Sequence, residues 1–234
     1  MAKQEAASEG KPQETKPVPL KKKVINEAIS WMWVILAFLF IHGTIVQARV
    51  IPSPSMEQTL LIGDHLLVSR FGYDAQVPFT SLHVTLWRDP ERQQVVVFRA
   101  PLPGSPDFIK RVIGIPGDRL DIRDRGVWIN GRPLDEPYLI GTRNGADDSK
   151  YNSVVVPPGH YFVMGDNRDN SYDSRYWGFL PRENILGTPL IIYMSVDAPE
   201  DAWQPGHLKE RFLAYAGAII RPTQVRWKRL FVTF

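Results

Sequence analysis

The sequence predicts a mainly β protein, an antiparallel β body behind one N-terminal transmembrane helix. Three observations carry this. A run from Ile29 to Val46 holds no formal charge apart from what His42 can carry. Between about residues 63 and 194, short β-branched runs are punctuated by Gly, Pro, Asn and Asp, the pattern of a sandwich or barrel-like body. Between residues 50 and 200 no segment keeps a helical period.

The first residues are rich in Lys, Glu, Gln, Pro and Ser and bury almost nothing, so residues 1–27 are expected to be a disordered tail. Residues 28–48 are expected to span a membrane, because 18 or more consecutive apolar residues reach across the hydrocarbon core. Trp31 and Trp33 stand at one end, where an interfacial belt places them. Lys21, Lys22 and Lys23 precede the span and only Arg49 follows closely, which orients the tail to the cytoplasm and the rest of the chain to the outside. A cleaved signal peptide is the rival reading, with Val46-Gln47-Ala48 as its cleavage site. The run is longer than the 7–15 residues of such a segment. A buried core helix would be apolar on one face, whereas this run is apolar all round.

The strands follow in order. His65–Ser69 comes after Gly63-Asp64, and Gln94–Phe98 is bounded by charge and by Pro101-Leu102-Pro103-Gly104. Phe108–Ile113 stops at Gly114 before a Pro116-Gly117-Asp118 turn. Leu120–Ile122 and Val127–Ile129 flank Asp124-Arg125-Gly126 as a hairpin, and Asn130-Gly131 is a second tight turn. Residues 141–152 are polar and read as a loop; Ser153–Val156, His160–Met164 and Leu190–Met194 read as further strands. Residues 201–234 form a C-terminal basic and aromatic segment. Phe212–Ile220 within it is too short to cross a bilayer. Arg226-Trp227-Lys228-Arg229-Leu230-Phe231 suits an anionic membrane surface or, equally, a basic tail on the body.

Composition narrows the chemistry. The 234 residues are 44% hydrophobic and 23% charged, ordinary globular material with a net charge of +3. The basic residues are scattered, so no nucleic-acid partner is expected. There are no cysteines, which removes thiol nucleophiles, disulfides and thiolate metal sites. In Ile51-Pro52-Ser53-Pro54-Ser55-Met56, two prolines stiffen an extended backbone and hold two hydroxyls at defined places. A serine nucleophile needs a base. None of the five histidines sits in a polar, glycine-flanked motif beside a carboxylate, so nothing positive supports a Ser-His-Asp triad, which geometry alone could still assemble. Lys110 lies inside an apolar strand, on the face of Phe108 and Val112; buried there, its amine becomes a neutral base. Snorkelling to water from an edge strand is the competing reading. The third polar piece is Gly165–Gly178, where Asp166, Asp169 and Asp173 are placed to pair with Arg168 and Arg175. Its Asp/Asn spacing suggests a calcium loop, but the Gly position and terminal Glu of such loops are missing, so no metal and no cofactor are expected.

Three segments in this order resemble bacterial type I signal peptidase, the membrane-bound leader peptidase with a Ser-Lys dyad. They are Ile51–Met56 with Thr59-Leu60 and Gly63-Asp64, then Lys110–Asp118, then Gly165–Gly178. The resemblance covers roughly residues 25–195. It implies a signal peptidase/LexA-like antiparallel β catalytic domain over 49–200, with a smaller β subdomain inserted at about 119–160. It implies Ser55 as nucleophile and Lys110 as general base, Ser53 as an oxyanion donor beside the Ser55 N–H, and Ser171 as the residue that orients Lys110. Asp166, Asp173 and Arg175 would brace the site; Ile51, Pro52, Met56, Leu60, Phe108 and Ile109 would shape the substrate pocket. One departure is Pro54, where the family usually has a small residue or Met. The partners implied are the signal peptides of secreted preproteins, cut after small residues at −1 and −3, and membrane lipid. The expected enzyme is monomeric and single-pass in the bacterial inner membrane, with an extracytoplasmic catalytic domain. Self-cleaving repressors share the β body and dyad but need a DNA-binding module, where this chain has a membrane anchor. A membrane-anchored, non-catalytic β binding module is the alternative from another class.

Overall fold

The computed structural model describes residues 20–76, 82–101, 104–123, 126–139 and 153–234. Most of the expected tail, the Leu102-Pro103 and Asp124-Arg125 turn residues and the whole of the expected 141–152 loop lie outside them. The chain divides into an N-terminal unit through Leu39 and a body from Phe40 onward.

Helix α1 (Leu20–Thr44) is the one helix among the described residues long and apolar enough to cross a membrane. It begins at the lysine cluster and not at 28, because Lys21–Glu27 are adequate helix formers. It ends before 48: Val46–Val50 alternates and becomes strand β1. Its apolar side chains are exposed all round, Trp31 at 66% and Phe38 at 63%, which suits a lipid solvent and not a water-facing helix.

The body holds β2 (Asp64–Ser69), the short pair β3 (Asp74–Gln76) and β4 (His83–Thr85), β5 (Val95–Phe98) and β6 (Phe108–Gly114). Then come β7 (Arg119–Arg123), β8 (Gly126–Ile129), β9 (Arg132–Pro133) and β10 (Val154–Val155). They are followed by β11 (His160–Met164), β12 (Leu180–Pro181) and the long β13 (Ile185–Ser195). The main sheet has seven strands in the order β1-β2-β13-β5-β6-β11-β12, with every pairing antiparallel. A second sheet, β10-β7-β8-β9, is built from the stretch between β6 and β11.

β6 is central, with β5 on one side and β11 on the other. A central strand has no free edge along which a lysine can snorkel, and Lys110 is buried. The core beside it contains Ile51, Met56, Leu60, Leu66 and Val97, with Ile109 packed against it. Burying one such side chain contributes about 1.5–3 kcal/mol, so this cluster fixes the turn that carries Ser55.

The C-terminal segment is packed into the body. Trp203 is 1% exposed, and α3 (Leu208–Ile220) lays Ala214, Tyr215 and Ala218 against it. Arg229 forks onto Asp64, which is fully buried, at 2.6 and 3.0 Å, and Arg226 reaches Asp197 at 2.7 Å. Two cations of the basic stretch are therefore pinned to the body, while Trp227 and Lys228 stay exposed.

Candidate active site

Ser53 is extended (φ −141°, ψ 154°) and leads into a 3₁₀ turn, Pro54–Met56. Pro54 takes the first position of that turn, where a preset φ helps and a missing N–H costs nothing. The departure from the family pattern thus fits the local backbone. The turn places the Ser53 and Ser55 hydroxyls 3.4 Å apart.

Lys110 Nζ donates to Ser55 Oγ at 2.6 Å, and both residues are buried, at 4% and 7% exposure. Burial pushes the lysine down from its ordinary 10.5 to about 8. Asp173 and Asp166 pull it back up, and Arg175 pushes it down. The cation that acts on the amine is Arg175 and not its chain neighbour Arg111, whose guanidinium forks onto Asp166 at 2.8 and 2.6 Å. Thr59 Oγ1 also donates to Asp166, at 2.5 Å. Asp166 therefore ties β6 to the serine turn. It does not pair with the arginines of its own loop, as expected from sequence, because Arg111 already meets it in bidentate geometry.

The polar loop after β11 closes over the serine. Asn167 N donates to Ser55 O at 3.2 Å. A side chain at Gly165 would bring a Cβ to 2.4 Å from Ser55 O and 2.3 Å from Ser171 Oγ, so only glycine allows this approach. Asp173 is buried and accepts from Gly165 N, from Ser171 Oγ at 2.7 Å and from the Arg175 guanidinium at 2.9 and 3.0 Å. The Ser171 hydroxyl, expected to orient Lys110, gives its one proton to Asp173, which leaves its lone pairs to accept from the amine. Asp173 and Arg175 brace the loop, and Asp173 caps the short helix α2 (Ser174–Trp177).

One residue that sequence reasoning missed is Glu136, which pairs with Arg168, both of them buried. Arg168 Nε donates to Gly165 O at 3.0 Å, so Glu136 holds the loop from behind. Its spacing from the loop in sequence offered no signal. Glu136→Ala leaves a buried guanidinium unpaired and is expected to cost about 3–5 kcal/mol, read as a lowered unfolding midpoint.

A cleft of about 340 Å³ opens between the segments that precede the serine and the lysine in the chain. Ile51 and Pro52 line it from the serine side, Phe108 and Ile109 from the lysine side. Ala48, Val50, Leu66, Val97 and Trp203 complete its apolar wall, and Arg49 pairs with Asp107 at its rim at 2.5 Å. Met56 and Leu60, expected in the pocket, are 0% exposed and belong to the core beneath. Their place follows from the 3₁₀ turn, which directs them inward while Ile51 and Pro52 face the cleft.

Three histidines of the body are engaged away from the serine. His65 Nδ1 meets Gly63 O at 2.9 Å and Nε2 meets the Tyr215 hydroxyl at 2.7 Å. His83 pairs with Asp74 at 2.9 Å, and His160 Nδ1 meets Pro158 O at 2.9 Å.

The buried amine has a stability cost. Below pH 8 it is protonated in both folded and unfolded chains, and the folded state bears the full penalty, on the order of 3 kcal/mol for a fall from 10.5 to about 8. Lys110→Met removes this penalty and loses one hydrogen bond of about 1 kcal/mol. The variant should unfold at a higher temperature than wild type at pH 7. The difference should shrink as pH rises from about 8 to 10.5, where only the unfolded chain still loses a proton.

Comparison with known proteins finds relatives of the chain by sequence. Residues 24–194 match the family described as signal peptidase, peptidase S26. The chain is 41% identical over 169 residues to a probable signal peptidase I-2 of Synechocystis, covering 70% of this chain and 69% of that protein. It is 32% identical over 233 residues to signal peptidase I of Pseudomonas aeruginosa, covering 82% of each. A crystal structure of a signal peptidase I from Enterococcus faecalis shares 35% identity, covers 43% of this chain and 97% of that one, and superposes with a TM-score of 0.37.

Proposed function

The chain belongs to the signal peptidase family, peptidase S26, and on that premise we propose that Ser55 and Lys110 cut signal peptides from preproteins. The observation that carries the assignment of residues is the 2.6 Å bond between Lys110 Nζ and Ser55 Oγ in a buried site. The neutral amine takes the hydroxyl proton as Ser55 Oγ attacks the scissile carbonyl carbon. The developing oxyanion takes hydrogen bonds from the Ser55 N–H and the Ser53 hydroxyl. The lysine ammonium then protonates the leaving amine, which departs as the N-terminus of the mature protein. Water, deprotonated by the same lysine, releases the signal peptide from the Ser55 ester.

The extended end of a signal peptide fits the cleft beside edge strand β1 by adding a strand, with small side chains at −1 and −3 in its shallow subsites. α1 anchors the enzyme, with its lysine cluster on the cytoplasmic side and the body on the far side of a bacterial inner membrane. Nucleophile, base and bracing residues all come from one chain, so a monomer is sufficient.

The test is to incubate the full chain, reconstituted in vesicles, with a preprotein and to read the product by mass spectrometry. One cut after an Ala-x-Ala sequence is expected, and leucine at −1 should block it. A cut elsewhere, or none, contradicts the reading. Ser53→Ala should keep the fold and lower kcat by about 10²–10³, the usual value of one oxyanion donor. An unchanged kcat would leave the backbone N–H as sole donor.

A further inference from the structure

Helix α3 reverses the usual pattern of a surface helix. Ala214 and Ala218 face the body around a single large residue, Tyr215, while Leu208, Phe212, Ile219 and Ile220 stand 71–82% exposed. At 100° per residue these four, with Leu213, Ala216 and Lys209, fall on one continuous arc of the helix. Glu210, the one acidic residue of α3, lies off that arc, within 3.9 Å of His207. Exposed Trp227 extends the apolar surface, and the groove between it and α3 is lined by Met194, Ala218, Ile219 and Val225. The cations Lys209, Arg221 and Lys228 are exposed around it.

We propose that this face of α3 lies in the interface of an anionic lipid bilayer, as a second membrane contact in addition to the spanning helix. A body that must stay in water does not turn most of a helix's large apolar side chains outward. The chemistry matches an in-plane helix: aliphatic and aromatic residues enter the acyl boundary, and flanking cations meet lipid phosphates. Chain continuity selects lipid over a soluble partner. The body is joined through α1 to the membrane that α1 crosses, so bilayer surface is available to it at high effective concentration. The proposal rests on α1 as anchor.

The test uses the absence of native cysteines, which makes any introduced one a unique label site. Phe212→Cys, Ile219→Cys and, on exposed β9, Arg132→Cys are made in the full chain, labelled with a nitrobenzoxadiazole fluorophore and reconstituted in phosphatidylcholine–phosphatidylglycerol vesicles. Preprotein cleavage confirms folding, and flotation with the vesicles reports α1 insertion independently of α3. Lipids carrying a shallow nitroxide should quench positions 212 and 219 at least about two-fold and leave 132 unchanged, while iodide should quench mainly 132. Omitting phosphatidylglycerol should weaken the lipid quenching. Iodide quenching at 212 and 219 equal to that at 132 overturns the proposal. So does shielding from both quenchers, which would mean that a protein covers the face. Equal lipid quenching in neutral vesicles overturns the anionic preference.

Discussion

Ser55→Ala and Lys110→Ala should each lower the rate of preprotein cleavage by about four orders of magnitude or more, because nucleophile and base act as a unit. The double variant should be no slower than either single one, since the second substitution removes a group already without its partner. Ser55→Ala should stay folded: the lost hydroxyl is small, and Met56 and Leu60 still anchor the turn in the core. Lys110→Arg should fail as well, because a guanidinium cannot give up its proton in a protein. Near-normal turnover by any of these purified variants would remove the dyad from the account.

The second large effect is on pH. The base must be neutral to accept the serine proton, so kcat/KM should rise with pH through an acid limb at about 8, the value to which burial lowers Lys110. Histidine is the competing source of such a limb. Burial pushes His65 below its ordinary 6.5, away from the expected limb and not toward it. Replacing His65, His83, His160 or His207 in turn should leave the limb in place. A shift of more than about one pH unit in any of the four would assign the base to histidine.

Much of this was readable from the sequence where local pattern and burial agree. The apolar runs within His65–Ser69, Gln94–Phe98 and His160–Met164 became strands because nothing in them favoured another state. The polar Gly165–Gly178 stretch showed itself as an internally bonded loop by its density of Asp, Asn and Arg. β1 was hidden because it follows directly on the apolar run of α1, and only the polar Gln47 and Arg49 mark it. α3 was hidden because its inward face holds two alanines beside Tyr215 while its outward face is apolar, so hydrophobicity pointed to a short apolar run and not to an amphipathic helix. Partner choice within the site was legible only in part. Sequence put Asp166 beside Arg168 and Arg175, but the fold brings it to Arg111 from another strand and gives Arg168 to Glu136. These are choices among long-range neighbours, which spacing along the chain does not encode.

The most direct test of the central claim is the ionisation of the Lys110 amine itself, followed by ¹⁵N NMR of lysine-labelled protein, with Lys110→Met to assign the signal. A transition at about 8, coincident with the acid limb of kcat/KM, is the expected result. A transition above about 10, the range of an ordinary solvated lysine, would mean that the amine is charged in the working enzyme and that Lys110 is not the base.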